Sequence, residues 1–130
     1  MNLNKTIAVK LGDLVDVKNA PSRNVNGATL ANQFIFTFEH GSVFKSYDTF
    51  VAAIVFNSPY DKELYLNPNV RVDSIDGGRT NVFSATTNRA CIDFCGLNTA
   101  ERREAIKMGK FIYGKNGVSY SKVIEINLNK

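Results

Sequence analysis

The chain contains one histidine, His40, and two cysteines, Cys91 and Cys95, among its 130 residues. A Ser-His-Asp or Cys-His catalytic site would depend on that single imidazole. His40 lies in a Glu-His-Gly stretch that is typical of a hairpin turn, and a turn holds a general base in place poorly. A structural zinc ion takes four ligands, whereas two thiols and one distant imidazole supply three. We therefore expect no histidine-dependent catalysis and no metal site, and we interpret the cysteines as reduced thiols on the apolar side of a helix.

Two pairs of aspartates are close enough in sequence to suggest general acid–base chemistry: Asp13 with Asp16, and Asp73 with Asp76. Such chemistry needs one carboxyl group in a dry pocket, and the residues around both pairs give no sign of one. Asp73 and Asp76 lie in a glycine-rich surface loop predicted at 73–81, where turn formation accounts for them. The Asp-Gly-Gly triplet at 76–78 lacks the lysine and hydroxyl residue of a phosphate-binding loop. The sequence thus predicts a protein that is not an enzyme and binds no cofactor.

Side chains suited to binding are more evident than catalytic ones, and they cluster in the sequence SATTNRA at residues 84–90. Its hydroxyl and amide side chains and its arginine stand at the start of a predicted helix. Such side chains cap helices, and they also contact phosphate groups with the help of the helix dipole. The sequence is compatible with both interpretations, a helix cap and a phosphate contact.

The positive charge of the chain is concentrated near its end. Residues 1–88 carry eight basic and eight acidic side chains, and residues 89–130 carry eight basic and four acidic, so the whole net charge of +4 lies in the last third. This asymmetry admits an acidic partner, either a phosphate backbone or an acidic protein surface, while a solvated helix surface is the ordinary alternative. A tyrosine beside an aspartate at 47–48 suits a protein interface, or equally a hydrogen bond at a strand end. The predicted partner-binding residues are Tyr47, Asp48, Asn88, Arg89, Arg102, Arg103, Lys107 and Lys110.

The elements that position these residues begin with an apolar stretch at 31–56, which contains six Phe, three Val and two Ile. The segment TFVAAIVF at 49–56 is apolar on both faces and predicts a central strand covered on both sides. Turn residues at 57–61 and a shorter strand at 63–68 follow. Residues 33–66 therefore predict a three-stranded antiparallel meander.

The register of the first hairpin of this meander depends on which turn joins its two strands, and the sequence allows two turns. Alternation at Phe34, Phe36 and Phe38 predicts a strand with one apolar face. We expect a three-residue loop at 39–41 with Gly41 in a bulge, which pairs Phe36 with Phe44 and sends Lys45 and Tyr47 to the other face with Thr37. The alternative is a two-residue loop at 40–41. In the expected register the core face consists of Phe34, Phe36, Phe38 and Phe44.

Two helices are predicted at about 84–95 and 99–108. Gly96 is expected to end the first, and Asn98 to cap the second in a capping box with Glu101. Short strands are predicted at 6–9 and 14–17, a loop at 19–28, and a C-terminal strand at 120–128. The predicted fold class is α+β, with residues 1–130 in a single domain whose antiparallel sheet carries one or two helices.

Three stretches together, at 31–54, 84–96 and 99–111, resemble a family of small bacteriophage proteins of unassigned function. The resemblance covers roughly residues 31–113 and rests on an Ala-Asn-Gln-Phe strand, a Phe-x-Ser-Tyr-Asp-Thr step, a Ser-x-Thr-Thr-x-Arg stretch and a short charged helix. It implies a phage accessory protein expressed in the host bacterial cytoplasm, and it implies no mechanism.

The function expected from these observations is binding of a host macromolecule, most simply a host or defence protein that is inhibited or redirected. A nucleic-acid-binding role for the basic last third and a structural or virion-associated role are the alternatives. No apolar run is long enough for a membrane helix, and the N-terminus does not have the pattern of a signal peptide, so a cytoplasmic protein without membrane contact is expected. The oligomeric state is left open.

Overall fold

A computed structural model describes residues 2–22, 27–72, 79–81, 83–112 and 117–130 of the chain. Those residues form three helices and eight strands. In chain order they are α1 (Lys5–Leu11), β1 (Leu14–Pro21), β2 (Thr29–Phe38), β3 (Gly41–Ser46), β4 (Thr49–Ser58), β5 (Asp61–Leu66), β6 (Val70–Val72), β7 (Arg79–Asn81), α2 (Ala85–Cys95), α3 (Thr99–Met108) and β8 (Lys122–Glu125).

Six of these strands form one sheet in the order β1-β2-β3-β4-β5-β8, and β6 pairs with β7 in a separate hairpin. The predicted α+β class is confirmed. The predicted meander is present, but it has four strands, β2 to β5, rather than three. The C-terminal strand is shorter than predicted and pairs with β5 in parallel, so the sheet is not wholly antiparallel. The glycine-rich loop predicted at 73–81 is in part the strand β7, and its residues 73–78 lie outside the described part of the chain. Among the described residues, no helix is long and apolar enough to cross a membrane.

Each face of the sheet carries its own apolar core. On one face, Ile7 and Leu11 of α1 pack in a cluster that includes Val43 and Val55. On the other face, the α2 and α3 residues Ala90, Cys91, Cys95 and Ala105 pack in a cluster with Phe44, Ile54 and Leu64. Strand β4 contributes to both clusters, as predicted from its apolar residues on both faces.

The helix α1 replaces the strand predicted at 6–9. The side chain of Asn4 accepts hydrogen bonds from the backbone N–H groups of Thr6 and Ile7 and thereby caps the helix. Ile7 and Leu11 are four residues apart and completely buried, which is the spacing of one helix face. The β-branched residues that favoured a strand are overridden here by the cap and by packing against the sheet.

The β2–β3 hairpin has a register that neither expected pairing matches. Phe38 is opposite Gly41 and Phe36 is opposite Val43, so the loop is the two-residue segment at 39–40. The backbone N–H of His40 donates to the Leu11 carbonyl at 2.9 Å, which ties the turn to α1. Gly41 is the first paired residue of β3 rather than a bulge residue.

This shift moves side chains between the faces, because side chains alternate along a strand. Phe36 packs against the α1-side core, whereas Phe44 is fully buried in the core under α2 and α3. Phe34 is half-buried. The single apolar face predicted from four phenylalanines is therefore wrong. Lys45, predicted on the opposite face, lies with its ammonium group 5.8 Å from the centre of the Phe36 ring.

Helices α2 and α3 begin and end where the sequence predicts. Ser84 accepts a hydrogen bond from the Thr87 N–H at the start of α2, and Gly96 ends it with φ of 78°. Asn98 and Glu101 form the expected capping box at the start of α3. These caps fix the junction between the two helices, and the helices carry the predicted partner-binding residues Asn88, Arg89, Arg102, Arg103 and Lys107.

Candidate functional site

Tyr47 stands at the tip of the β3–β4 hairpin in a strained backbone conformation. Its φ is 53°, and only it and Asn32 have positive φ among the described non-glycine residues. Ser46 is paired with Thr49, so Tyr47 is the first residue of a two-residue turn. Glycine ordinarily fills the first position of a two-residue turn that needs positive φ there, because a side chain makes that conformation costly. The tyrosine side chain is nevertheless 62% exposed, so packing in the core does not explain why a tyrosine occupies this position.

Asn32, the other described non-glycine residue with positive φ, is hydrogen-bonded to Tyr47 through the backbone. The Tyr47 N–H donates a hydrogen bond to the carbonyl of Asn32 at 2.6 Å, linking the hairpin tip to β2. Backbone strain of this kind persists only where surrounding structure enforces it, and it clusters at functional sites. The tip is therefore held against β2 by a backbone hydrogen bond.

Beside Tyr47 lies a cavity of about 340 Å³ whose wall is rich in hydroxyl groups. Ser46 and Thr87 hydrogen bond to each other at 2.9 Å, and Ser84 bonds to Thr87 at 3.0 Å. These bonds join the hairpin to the first turn of α2. The residues that line the cavity are Ser46, Tyr47, Thr49, Val51, Asn67, Phe83, Ser84 and Thr87.

A smaller cavity of about 50 Å³ adjoins this one, since Asn67 and Phe83 line both. Arg103 lines the smaller cavity and is exposed. The structure thus connects two predicted partner-binding residues, Tyr47 and Arg103, through shared walls. We call the exposed residues Tyr47, Asp48, Ser84 and Arg103, with the two cavities between them, the Tyr47 surface.

The other predicted residues are distributed unevenly. Arg89 is exposed on α2, and Lys107 and Lys110 are exposed at the end of α3. Asn88 is half-buried, and its amide oxygen accepts a hydrogen bond from within the protein. The basic residues of α2 and α3 do not line the larger cavity beside Tyr47.

Arg102 is a correction to the predicted surface, because it is only 5% exposed. Its guanidinium donates to the Asn88 amide oxygen at 2.8 Å, to the Thr99 hydroxyl at 3.1 Å and to the Leu97 carbonyl at 3.4 Å. Within the described part of the chain, no carboxylate is within ion-pair distance of it. Arg102 therefore joins α2 to α3 from inside, and its position in a charged stretch gave no signal of this.

Cys91 and Cys95 are both buried, as expected for thiols on the apolar side of α2. The pKa of the Cys95 thiol is lowered to about 7, because the Cys91 thiol donates a hydrogen bond to it and the Arg102 guanidinium lies close by. The same hydrogen bond, together with burial, raises the pKa of Cys91 well above its ordinary value. The buried cation is thus balanced by a nearby group that ionises easily.

We expect the stability that Cys95 contributes to depend on pH between about 7 and 9. A pKa lower in the folded chain than the ordinary value of 9.0 means that the thiolate is favoured by folding. That contribution is complete above pH 9 and is lost as the pH falls through about 7, while the raised pKa of Cys91 acts only above pH 9. Urea unfolding under reducing conditions should show the wild type gaining stability over Cys95→Ser from pH 7 to 9, by on the order of 1 kcal/mol. A constant difference would contradict this ionisation.

The residues first considered for catalysis are not brought together. His40 is exposed in the β2–β3 turn, and the described residues contain no group of three histidine, cysteine or acidic side chains that could hold a metal ion. Asp13 and Asp16 lie at the exposed start of β1, and Asp73 and Asp76 lie outside the described residues.

No protein-family model matches the sequence, and no significant similarity links the chain to a curated protein or to a solved structure. The resemblance to small phage proteins stays a prediction. The geometry of the described residues is therefore the main basis for a functional proposal.

Proposed function

We propose that this protein binds another protein through the Tyr47 surface. The observation that carries the proposal is the exposed tyrosine held at positive φ, where glycine or asparagine would be less strained. Tyrosine and arginine contribute strongly to protein interfaces, since each combines a large contact area with directed hydrogen bonds. Tyr47 and Arg103 supply that pair on one surface.

The cavities between these residues give the surface a shape that a partner can enter. Phe83 forms an apolar wall shared by both, while Ser84 and Thr87 place hydroxyl groups along the larger one. An apolar wall with a few fixed polar groups suits a partner side chain that inserts there. Asp48, exposed next to Tyr47 in the β3–β4 turn, adds a negative charge to the Tyr47 surface.

The sequence resemblance supports a context for this binding. It favours a phage accessory protein that acts in the bacterial cytoplasm by inhibiting or redirecting a host or defence protein. A small chain can do so by covering a functional surface of its target, without chemistry of its own.

The sharpest variant is Tyr47→Gly, which we expect to separate stability from binding. Removing the side chain relieves the cost of positive φ, and the greater freedom of glycine in the unfolded chain offsets part of that gain. The free energy of unfolding should therefore be unchanged or rise by up to about 1 kcal/mol. Binding should be lost, because the aromatic contact is gone. The measurements are urea unfolding, and affinity capture from bacterial lysate followed by titration of the captured protein.

A matched control is Tyr60→Ala, since Tyr60 is a second turn tyrosine, 98% exposed, with no positive φ. This variant should bind as the wild type does. Capture that is equal for Tyr47→Gly and wild type, or no specific capture at all, would contradict the proposal.

A nucleic-acid partner is the alternative, favoured by the exposed cations Arg89, Arg103, Lys107 and Lys110. Burial of Arg102 removes one cation from the predicted basic surface. Contacts to phosphates make affinity fall steeply as salt rises. Oligonucleotide binding with that dependence, weakened by Arg103→Glu and unaffected by Tyr47→Gly, would favour this alternative.

A further inference from the structure

The outer strand β1 is paired on one side only within the described sheet, where β2 is its neighbour. Every side chain at 14–19 is exposed, including Leu14 at 51%, Val15 at 66% and Val17 at 45%. An open strand edge presents backbone N–H and C=O groups that can pair with another strand. This edge therefore combines hydrogen-bonding groups with apolar side chains that a partner strand would cover.

The middle of β1 is regular and offers its backbone outward. Asp16 and Lys18 are in register with Thr37 and Ile35 of β2. The N–H of Val17, between them, donates to the carboxylate of Asp16 at 2.9 Å. Backbone groups of alternate residues in an antiparallel pair point to opposite sides, so this arrangement places the N–H and C=O of Val17 on the open side.

We propose that the protein forms a symmetric dimer in which β1 pairs antiparallel with β1 of a second copy, with Val17 opposite Val17 on the twofold axis. This surface is separate from the Tyr47 surface, and the proposal does not depend on it. The two six-stranded sheets would become one continuous sheet.

The charges of β1 select the second copy as the partner and Val17 as the centre. Opposed residues in an antiparallel pair share a face, so a symmetric pairing must centre on one residue facing itself. A centre at Asp16 would oppose two carboxylates, and a centre at Lys18 would oppose two ammonium groups. A centre at Val17 places each Asp16 opposite Lys18 of the other copy. Opposite charges stabilise such a position and like charges destabilise it.

Within one chain the Lys18 ammonium is 3.7 Å from the Asp16 carboxylate, and both side chains are largely exposed. In the dimer these two charges and their copies would alternate in sign around the axis. Exposed ion pairs contribute at most about 1 kcal/mol each, so they determine register more than affinity. Backbone hydrogen bonds and burial of the exposed valines provide the attraction.

The test is a charge exchange between two full-length variants, Asp16→Lys and Lys18→Asp, measured by sedimentation over a range of concentrations. Each variant alone opposes like charges twice across the axis, so its dimer dissociation constant should rise by about tenfold or more. An equimolar mixture should form a heterodimer with near wild-type affinity, because opposite charges face each other again. Glu104→Lys, an exposed substitution on α3 with the same change in charge as Asp16→Lys, should dimerise as the wild type does.

Circular dichroism will establish that each variant is folded, which the exposure of both side chains leads us to expect. In the wild type, hydrogen exchange at the Val17 amide should slow as the protein concentration rises. A wild type that remains monomeric at the highest soluble concentration would overturn the proposal. A dimer unaffected by the single variants, or not restored in the mixture, would overturn it equally, because its interface would lie elsewhere.

Discussion

Gly41→Ala should destabilise the protein by about 3 to 5 kcal/mol, because the added methyl group overlaps backbone rather than a movable side chain. A Cβ at this position would lie 2.0 Å from the carbonyl oxygen of Ile54 in β4 and 2.7 Å from the side chain of Leu11 in α1. To accommodate the added methyl group, β3 would have to separate from β4, or α1 would have to move off the sheet. The measurement is the free energy of unfolding in urea.

Gly109→Ala is the control for this result. Gly109 also has positive φ, at 72°, but a Cβ there has nothing within 4 Å. Gly109→Ala should lower the free energy of unfolding by only about 1 to 2 kcal/mol, the usual cost of an alanine in the left-handed conformation. Equal losses for the two substitutions would show that conformation, and not the close approach of α1 and β4, explains the glycine at 41.

Arg102→Met should destabilise the protein by about 2 to 4 kcal/mol, because it leaves buried acceptors without a donor. The substitution keeps an unbranched apolar stem and removes the hydrogen bonds to Asn88 and to the Leu97 carbonyl. Removing a buried cation also removes its desolvation cost, which offsets part of the loss but does not replace those bonds. Urea unfolding measures the effect.

A second measurement distinguishes the role of the Arg102 charge from simple loss of packing. Because the guanidinium helps to lower the pKa of Cys95, thiolate absorbance should show that pKa rising above about 7 in Arg102→Met. Arg103 is an exposed neighbour of Arg102 on α3. Arg103→Met should lower the free energy of unfolding by less than about 1 kcal/mol and leave the pKa of Cys95 unchanged. An Arg102 variant as stable as the Arg103 variant would disprove the structural role.

The elements that the sequence predicted well depend on short-range signals. Gly96 ends α2, and Asn98 with Glu101 begins α3, because a cap needs only residues within one turn. The apolar residues of β4 likewise indicated a strand covered on both faces before any partner was known. Tyr47 was identified as a candidate from its type and setting, whereas its strained φ is visible only in the fold.

The wrong predictions concern positions where two arrangements differ little locally. A one-residue change in the β2–β3 register sends Phe44 to the opposite face from Phe36, and turn chemistry alone favoured the wrong register. Arg102 has exposed charged neighbours in the sequence, yet the contact between α2 and α3 buries it.

By itself, the sequence determined the α+β class, the extents of α2 and α3, and a strand β4 that is covered on both faces. The tertiary structure decided the hairpin register, the helix at the N-terminus, the burial of Arg102 and the exposure of the β1 edge. Caps and periodicity act over a few neighbouring residues. Register and burial depend on the summed packing of distant segments, which no local pattern records.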